Sequence, residues 1–367
     1  MQTGEKDLDL KIAEENIKNL EAEDIILASY LGSGSSLIGG ILIELGLDYI
    51  EGYQEKISKN KRQTDVVLPL WRKHWKQLDT KYNLTKPKEL RLFKTHFYPE
   101  SFANAKPRKA VLLIRDARDA VISYYNWRKG FSDEYGTLSD FLTTAGYYGK
   151  KPFDDWTSYI EEWHKWGSKF EHQLYLIKYE DLKFNPKETV RNLLNFLKIK
   201  RSYAEIERAV ENSRFSKIKK EETQVLKNNN QPRIFRKGLI GEWRNTLSLQ
   251  DLSCIHKKTT DMLRKYCYIE TEKKHFQQFT HWFIGYNTAA CRQIQNLLQH
   301  GEKVVLIPLK PRYCNIESPN FLVIKGPFLP KFLDIINGNI YLSAPDEEIV
   351  RSVENIAQIK KMTLLNI

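Results

Sequence analysis

The chain has 367 residues, of which 41% are hydrophobic and 28% charged, and its 58 Lys and Arg against 46 Asp and Glu leave a net charge of +12. That length fits two domains better than one. The positive balance points to nucleic acid, anionic lipid or a small polyanion, or only to a solvated lysine-rich face. No run of 18 apolar residues occurs and the charged N-terminus holds no leader-like apolar stretch, so neither secretion nor membrane insertion is expected. Cys254, Cys267, Cys291 and Cys314 form no C-x-x-C and no Cys/His pair at zinc spacing. They read as reduced thiols of a cytoplasmic protein, and no metal is expected.

Residues 1–21 read as an N-terminal extension carrying a short surface helix. A strand then begins at Ile25 and ends at Ser29, a loop follows through Gly32, Ser33, Gly34, Ser35 and Ser36, and an apolar helix stops at Gly46. "LRLFK" (90–94), "KAVLLIR" (109–115) and "LYLIKY" (174–179) are short unbroken apolar runs, as parallel strands buried on both faces should be. Between and after them, "ARDAVISYYNWRK" and "FDDWTSYIEEWHKW" have helical periodicity, and Trp156, Ile160, Trp163 and Trp166 share one face as a core stripe. Asn185, Pro186 and Glu188 form a helix-start set. The expected class is α/β, a parallel sheet flanked by helices. Near residue 273 the character changes. "HFQQFTHWFIGYNTAACRQIQNLLQHG" reads as a helix ending near Gly301, followed by strands in "KVVLIPL", "NFLVIKG" and "NIYLSAP" and a closing helix in "DEEIVRSVENIAQIKKM". The expected division is 22–272 as the main domain and 273–367 as a small α/β extension without a chemical motif.

Four segments carry chemistry. Backbone N–H groups of a small-residue loop at a helix N-terminus make an anion site. The loop here lacks the Gly-Lys-Ser/Thr triplet of nucleotide kinases, which argues against a kinase or ATPase. In "FKTHFYP", Lys94 and His96 lie two apart at a strand end, placed to stabilise a transferring anion and to remove a proton. In "LLIRDARDAVISYYNW", Arg115 leaves a strand end and Ser123 follows on the next helix, a fork and a hydroxyl suited to phosphate. The alternative is a surface pair of Arg115 with Asp116 or Asp119. In "FRKGLIGEW", Arg236, Lys237 and Gly238 make a basic loop able to clamp a phosphate.

In this order the motifs resemble the cytosolic sulfotransferase family, which draws its sulfuryl group from 3′-phosphoadenosine-5′-phosphosulfate (PAPS). Where that family runs "YPKSGTTW", "KTHLP", a segment ending in "SYY", "YEDL" with a downstream "NP", and "RKG-x-x-G-D-W", this chain runs "YLGSGSSL", "KTHFYP", "RDARDAVISYY", "YEDLKFNP" and "RKGLIGEW". The resemblance covers residues 22 to about 270. It implies that Ser33, Gly34, Ser35 and Ser36 hold the 5′-phosphosulfate. Arg115 and Ser123 would take the 3′-phosphate, with Arg236, Lys237 and Gly238 closing over it. Ser213, Phe215 and Tyr179 would line the adenine end. His96 resembles the general base and Lys94 the lysine that neutralises the sulfuryl oxygens. No metal is implied.

The chain departs from the family at Leu31, Gly32 and Leu37, which stand where the family has proline, the leaving-group lysine and an adenine-packing tryptophan. The expected function is sulfuryl transfer from PAPS to a hydroxyl or amine of a small acceptor, giving PAP. The alternative is a PAPS- or PAP-binding protein of the same fold with impaired catalysis. Segments 48–60, 97–105 and 141–155 would wall the acceptor pocket, and their aromatics, Tyr49, Tyr53, Phe97, Tyr98, Phe102, Tyr147, Tyr148 and Phe153, favour an apolar or aromatic-bodied acceptor. No nucleic-acid partner is expected, and a homo-oligomer is left open.

Overall fold

The computed structural model describes residues 3–51, 90–130, 136–146, 148–225, 236–269, 276–309, 316, 318–324, 332–343 and 347–366. In chain order the first elements are α1 (Thr3–Lys18), β1 (Ile25–Ser29), α2 (Ser35–Glu44), β2 (Asp48–Glu51), β3 (Arg91–Thr95), β4 (Lys109–Ile114), α3 (Ala117–Lys129), α4 (Leu138–Thr143), α5 (Pro152–Gly167) and β5 (Gln173–Lys178). There follow α6 (Tyr179–Phe184), α7 (Pro186–Leu197), α8 (Tyr203–Asn212), α9 (Phe215–Val225), α10 (Trp243–Thr246), α11 (Leu249–Ser253) and α12 (Lys257–Lys265). The last are β6 (His281–Ile284), α13 (Thr288–Gln299), β7 (Val304–Ile307), β8 (Phe321–Val323), α14 (Phe332–Ile335), β9 (Asn339–Leu342), α15 (Glu347–Lys360) and β10 (Leu364–Asn366). The chain divides into two compact units, one of residues 1–182, 186–238 and 253–259, the other of 183–185, 239–252 and 260–367.

The first sheet has the order β2-β3-β1-β4-β5 and every pair is parallel. β1 and β3 are buried at every position and β4 at all but its first, so each strand is covered on both faces. The tryptophan stripe of α5 is core: Trp156 and Trp163 are 0% exposed, and Trp163 packs edge-on to Trp166. Helix α2 ends in Leu45 followed by Gly46 at φ +81°, a left-handed position that glycine adopts without a Cβ penalty.

The second sheet has the order β10-β9-β6-β7-β8, again all parallel. The expected strands and closing helix appear as β7, β8, β9 and α15. One expectation is corrected. The helix read from 273 onward is the central strand β6, Gly285 and then α13. Four consecutive buried residues, His281 to Ile284, rule out a one-sided helical stripe. Gly285 at φ +86° then breaks the chain before Asn287 caps α13. Helix α13 packs its Ala290 and Ile294 against Phe283, Val304 and Leu306.

A buried ion pair fixes the start of the first sheet. Arg91 Nε donates to Asp24 Oδ1 at 2.7 Å, and Nη2 pairs with Oδ2. Asp24 precedes β1 and Arg91 opens β3, so the pair clamps adjacent strands at their amino ends. Removing one partner strands a charge out of water. Asp24→Ala should therefore lower stability by about 3–5 kcal/mol in chemical denaturation. A loss below about 1 kcal/mol would mean that Arg91 finds solvent instead.

Candidate active site

Because the first sheet is parallel, its strands all end at one edge. The residue after β1 is Tyr30, after β3 His96, after β4 Arg115 and after β5 Tyr179. The register aligns these ends: Ala28 lies beside Thr95, Ser29 beside Leu113 and Ile114 beside Lys178. β1 sits centrally, with β3 on one side and β4 on the other, so the loop after β1 opens at the point where the strand order reverses, where open α/β sheets bind ligands.

That loop is shaped by two glycines. At Gly32, φ is +79° and an added Cβ would lie 2.2 Å from the Ala120 carbonyl oxygen and 2.9 Å from Tyr124 N. The loop therefore lies directly on α3, and position 32 accepts no side chain without moving backbone. Gly34, at φ +93°, is the N-cap of α2, and a Cβ there would meet the Tyr179 ring at 2.4 Å. The amides that open α2 at Ser35 and Ser36 belong to a first turn whose N–H groups lack intrahelical acceptors, and the helix dipole favours an anion there. Ser33 is 1% exposed and its Oγ has no hydrogen-bond partner.

Tyr179 joins this loop to the next segments. Its ring lies 4.4 Å from the Arg115 guanidinium carbon. Arg115 Nη1 donates to the Gly32 carbonyl at 3.1 Å, and the Tyr179 hydroxyl reaches the Gly238 carbonyl at 3.5 Å. A Cβ on Gly238, φ +62°, would strike the Phe215 ring at 2.4 Å. Ser213, two residues before Phe215, is 1% exposed with an unpartnered Oγ. Arg118 takes both carboxylate oxygens of Asp116, at 2.9 and 2.6 Å. Ser123 is half-buried on α3, in the turn that Gly32 packs against. Arg236 is half-buried and Lys237 exposed, leading directly into Gly238.

Glu180 was not singled out in the sequence, although it sits in the quoted "YEDL". It is 0% exposed and accepts from Asp116 N at 3.1 Å. Burial pushes its carboxyl up to about 8, against the Asp116 N–H, which favours the ionised form. At neutral pH it is mostly protonated, so it adds little negative charge beside Arg115.

His96 Nδ1–H donates to the Ser29 carbonyl at 2.7 Å. This fixes the tautomer and leaves the ring lone pair on Nε2. Burial, and then the charge of Lys94, hold the imidazolium pKa down from 6.5 to about 3. Lys94 itself is 8% exposed. The pair is thus a neutral base beside a buried cation.

Beyond His96 the chain is aromatic. The Tyr98 hydroxyl donates to Asp155 Oδ1 at 2.6 Å, and its ring meets Tyr148 at 4.6 Å and Tyr159 at 5.3 Å, both edge-on. Burial raises the Asp155 carboxyl above its ordinary range, and burial together with Asp155 raises the Tyr98 phenol. Three other aromatics named for an acceptor wall are buried against neighbouring residues. Tyr49 lies on Gly39 of α2, Phe102 meets Phe93 and Trp163, and Phe153 is 1% exposed. Tyr53 and Tyr147 lie outside the described residues, as does segment 52–60. Among the described residues no His, Cys, Asp and Glu group has the makings of a metal site, and no described helix is long and apolar enough to cross a membrane.

The histidine geometry has a direct test. In a side-chain NMR titration, with His96→Gln to assign the signal, the ring should stay neutral from pH 7 down to pH 5. The unfolded chain binds that proton near ~6.5, so this site also withdraws stability as pH falls from there toward about 3. A midpoint near ~6.5 in the folded protein would show an ordinary solvated imidazole.

A family model described as the sulfotransferase domain matches residues 22–285. Mouse sulfotransferase 1A1 is 31% identical over 173 residues, 43% of this chain and 58% of the relative. The chain thus spans less than two thirds of that relative's length. Dog sulfotransferase 1B1 is 26% identical over 270 residues, 66% of this chain and 86% of the relative. The crystal structure of mouse sulfotransferase SULT7A1 complexed with PAP superposes with a TM-score of 0.50 at 15% identity, over 80% of this chain and 95% of that one. With the family model spanning well over half of the chain, on the parallel sheet and strand-end loop just described, this chain belongs to the sulfotransferase family.

Proposed function

We propose that this protein transfers a sulfuryl group from PAPS to a hydroxyl or amine of a small acceptor, leaving PAP. The observation that carries this reading is His96, held neutral with its basic nitrogen at Nε2, one strand away from a loop built for an anion. The residues present fit the donor. Two buried hydroxyls, Ser33 and Ser213, lack partners at the two places where the resemblance puts the phosphosulfate and the adenine.

PAPS supplies an activated sulfur whose three terminal oxygens share negative charge. The N–H groups and hydroxyls of Ser33, Gly34, Ser35 and Ser36 hold its 5′ end. Arg115 and Ser123 take the 3′-phosphate, with Arg236, Lys237 and Gly238 over it, and Tyr179, Ser213 and Phe215 receive the adenine. Nε2 of His96 accepts the proton of the acceptor as its oxygen or nitrogen bonds to sulfur. Lys94 offsets charge on the sulfuryl oxygens as the bond to the departing phosphate oxygen breaks. Positioning and electrostatics do this without a metal. Phe97, Tyr98 and Tyr148 support an apolar or aromatic-bodied acceptor. The free thiols of Cys254, Cys267 and Cys291 support a cytoplasmic setting. The nucleotide residues all lie at or before Gly238, which supports assigning catalysis to 22–272 and a separate role to 273–367.

Gly32 favours the second reading, a nucleotide-binding protein with impaired transfer. The position that carries the leaving-group lysine in the family has no room for a side chain here, so Gly32→Lys would disturb the loop rather than restore a cation.

PAP should stabilise the protein against heat without added metal, by about 2.7 kcal/mol at ~100 Kd. Adenosine-5′-monophosphate should do less, and Arg115→Ala should remove most of the effect. Equal shifts for the two nucleotides would show that the 3′-phosphate is not read. The affinity should also fall as pH rises through about 8, where ionised Glu180 adds negative charge beside Arg115. Glu180→Gln should flatten that slope, and an unchanged slope would assign it elsewhere.

Catalysis separates the two readings. On a panel of phenols, alcohols and amines, His96→Ala should lower kcat by about 10²–10⁴ while PAP affinity holds. A parent enzyme inert on the whole panel but still binding PAP would establish the impaired reading.

A further inference from the structure

Residues 30–36 contain no lysine or arginine, and Gly32 has no room for a side chain. A cation at this loop has to be delivered from another strand end. The neighbours of β1 in the sheet are β3 and β4. Each carries a buried cation at its end, Lys94 within β3 and Arg115 directly after β4. The two differ in what they act on. Lys94 acts on His96, whose imidazolium is held down by burial and then by that lysine. Arg115 is tied to the loop itself, since its Nη1 donates to the Gly32 carbonyl at 3.1 Å.

Other contacts hold Arg115 in this pose. Its own carbonyl accepts from Trp156 Nε1 at 3.1 Å, and Trp156 is 0% exposed, so the root of the side chain is fixed. The guanidinium carbon lies 4.4 Å over the Tyr179 ring, the ring that fills the space of a Gly34 side chain. Guanidinium donors all lie in the plane of the group, so stacking on a ring engages the face and none of the donors. The bond to Gly32 has a neutral acceptor. It orients the cation towards the loop without neutralising it. Glu180 feels the charge of Arg115, but burial pushes its carboxyl up to about 8, so near neutral pH it opposes that charge little.

An independent sign that this loop awaits a polar ligand comes from Ser33, beside Gly32. It is 1% exposed and its hydroxyl has no hydrogen-bond partner, a state that buried polar groups rarely keep.

We infer that Arg115 binds the 5′-phosphate of the nucleotide as well as the 3′-phosphate, and so brings to the loop the charge that Gly32 cannot carry. The inference rests on the PAPS reading given above. One fork serves both groups because its donors point in fixed and different directions. The Nη1 edge is turned to the loop, and the remaining donors are left for the 3′ side. In transfer the acceptor oxygen or nitrogen bonds to sulfur, its proton passes to His96 Nε2, and the electron pair of the broken sulfur–oxygen bond stays on the 5′-phosphate. A cation held at the loop stabilises that growing charge.

The test separates the two phosphates. Adenosine-5′-monophosphate carries only the 5′ group, adenosine-3′-monophosphate only the 3′ group, and PAP both. Each is titrated by calorimetry into the full chain and into Arg115→Gln and Arg115→Lys. Glutamine keeps a donor for the Gly32 carbonyl and drops the charge, whereas lysine keeps the charge and drops the fork. Arg115→Gln should weaken the 5′-monophosphate by about tenfold or more, and Arg115→Lys should recover at least about threefold of that loss. The affinity of the parent for the 5′-monophosphate should also fall more steeply with salt than that of Arg115→Gln, a difference that a merely structural role would not produce. Losses confined to PAP and the 3′-monophosphate would overturn the inference, because Arg115 would then read the 3′-phosphate alone. Equal losses for the two variants, or equal salt slopes for parent and Arg115→Gln, would overturn it in favour of a loop-holding role. So would a parent that binds PAP but not the 5′-monophosphate. A parent that binds no PAP would remove the donor reading itself, and this inference with it.

Discussion

The Tyr179 ring is the contact on which the candidate site depends. It occupies the space that a Gly34 side chain would need, lies beside the Arg115 guanidinium, and reaches the Gly238 carbonyl through its hydroxyl. One aromatic side chain thus sets the distance between the anion loop, the arginine after β4 and the 236–238 segment. Arg115 adds a bond back to Gly32, which closes the arrangement on itself. The ring works here because it is rigid and large, with a single polar tip. A flexible side chain of similar volume would fill the space without fixing the angles.

Four of the first sheet's five strands were legible in the sequence as short apolar runs: β1, β3, β4 and β5 fall on the runs at 25–29, 90–94, 109–115 and 174–179 to within a residue or two. The edge strand β2, Asp48–Glu51, was not read, because only two of its four residues are apolar. β6 was not legible because "HWFI" is only four residues long in a polar neighbourhood, and the helical pattern of α13 spread backward over it. Gly285 and Asn287 were the signals that separate the two. In the candidate site, the side chains at strand ends could be named from motifs, but their partners could not. The group that orients His96 is a backbone carbonyl, and backbone carries no sequence signal. Tyr98 and Asp155 meet across 57 positions, and nothing local marks that pairing. That Arg118 takes the Asp116 carboxylate was likewise visible only in three dimensions.

The absence of a loop lysine also takes on a physical meaning. Gly32 is not simply a lysine position that has lost its charge. Its missing Cβ lets the loop sit on the backbone of α3 at Ala120 and Tyr124. Lys94 and Arg115, the cations expected to serve this site, are both buried on other strand ends. Such charges are held by packing, so their positions are set before any nucleotide arrives.

The unpartnered hydroxyls of Ser33 and Ser213 have a consequence for the lifetime of the protein. A buried polar group without a partner costs about 1–3 kcal/mol. Two of them consume a noticeable part of a domain's usual ~5–15 kcal/mol. A bound molecule that satisfies both returns that energy to the native state and lowers the fraction of chains open to proteases. Turnover of this protein would then follow the supply of its nucleotide, with abundant ligand preserving the chain and scarcity hastening its removal.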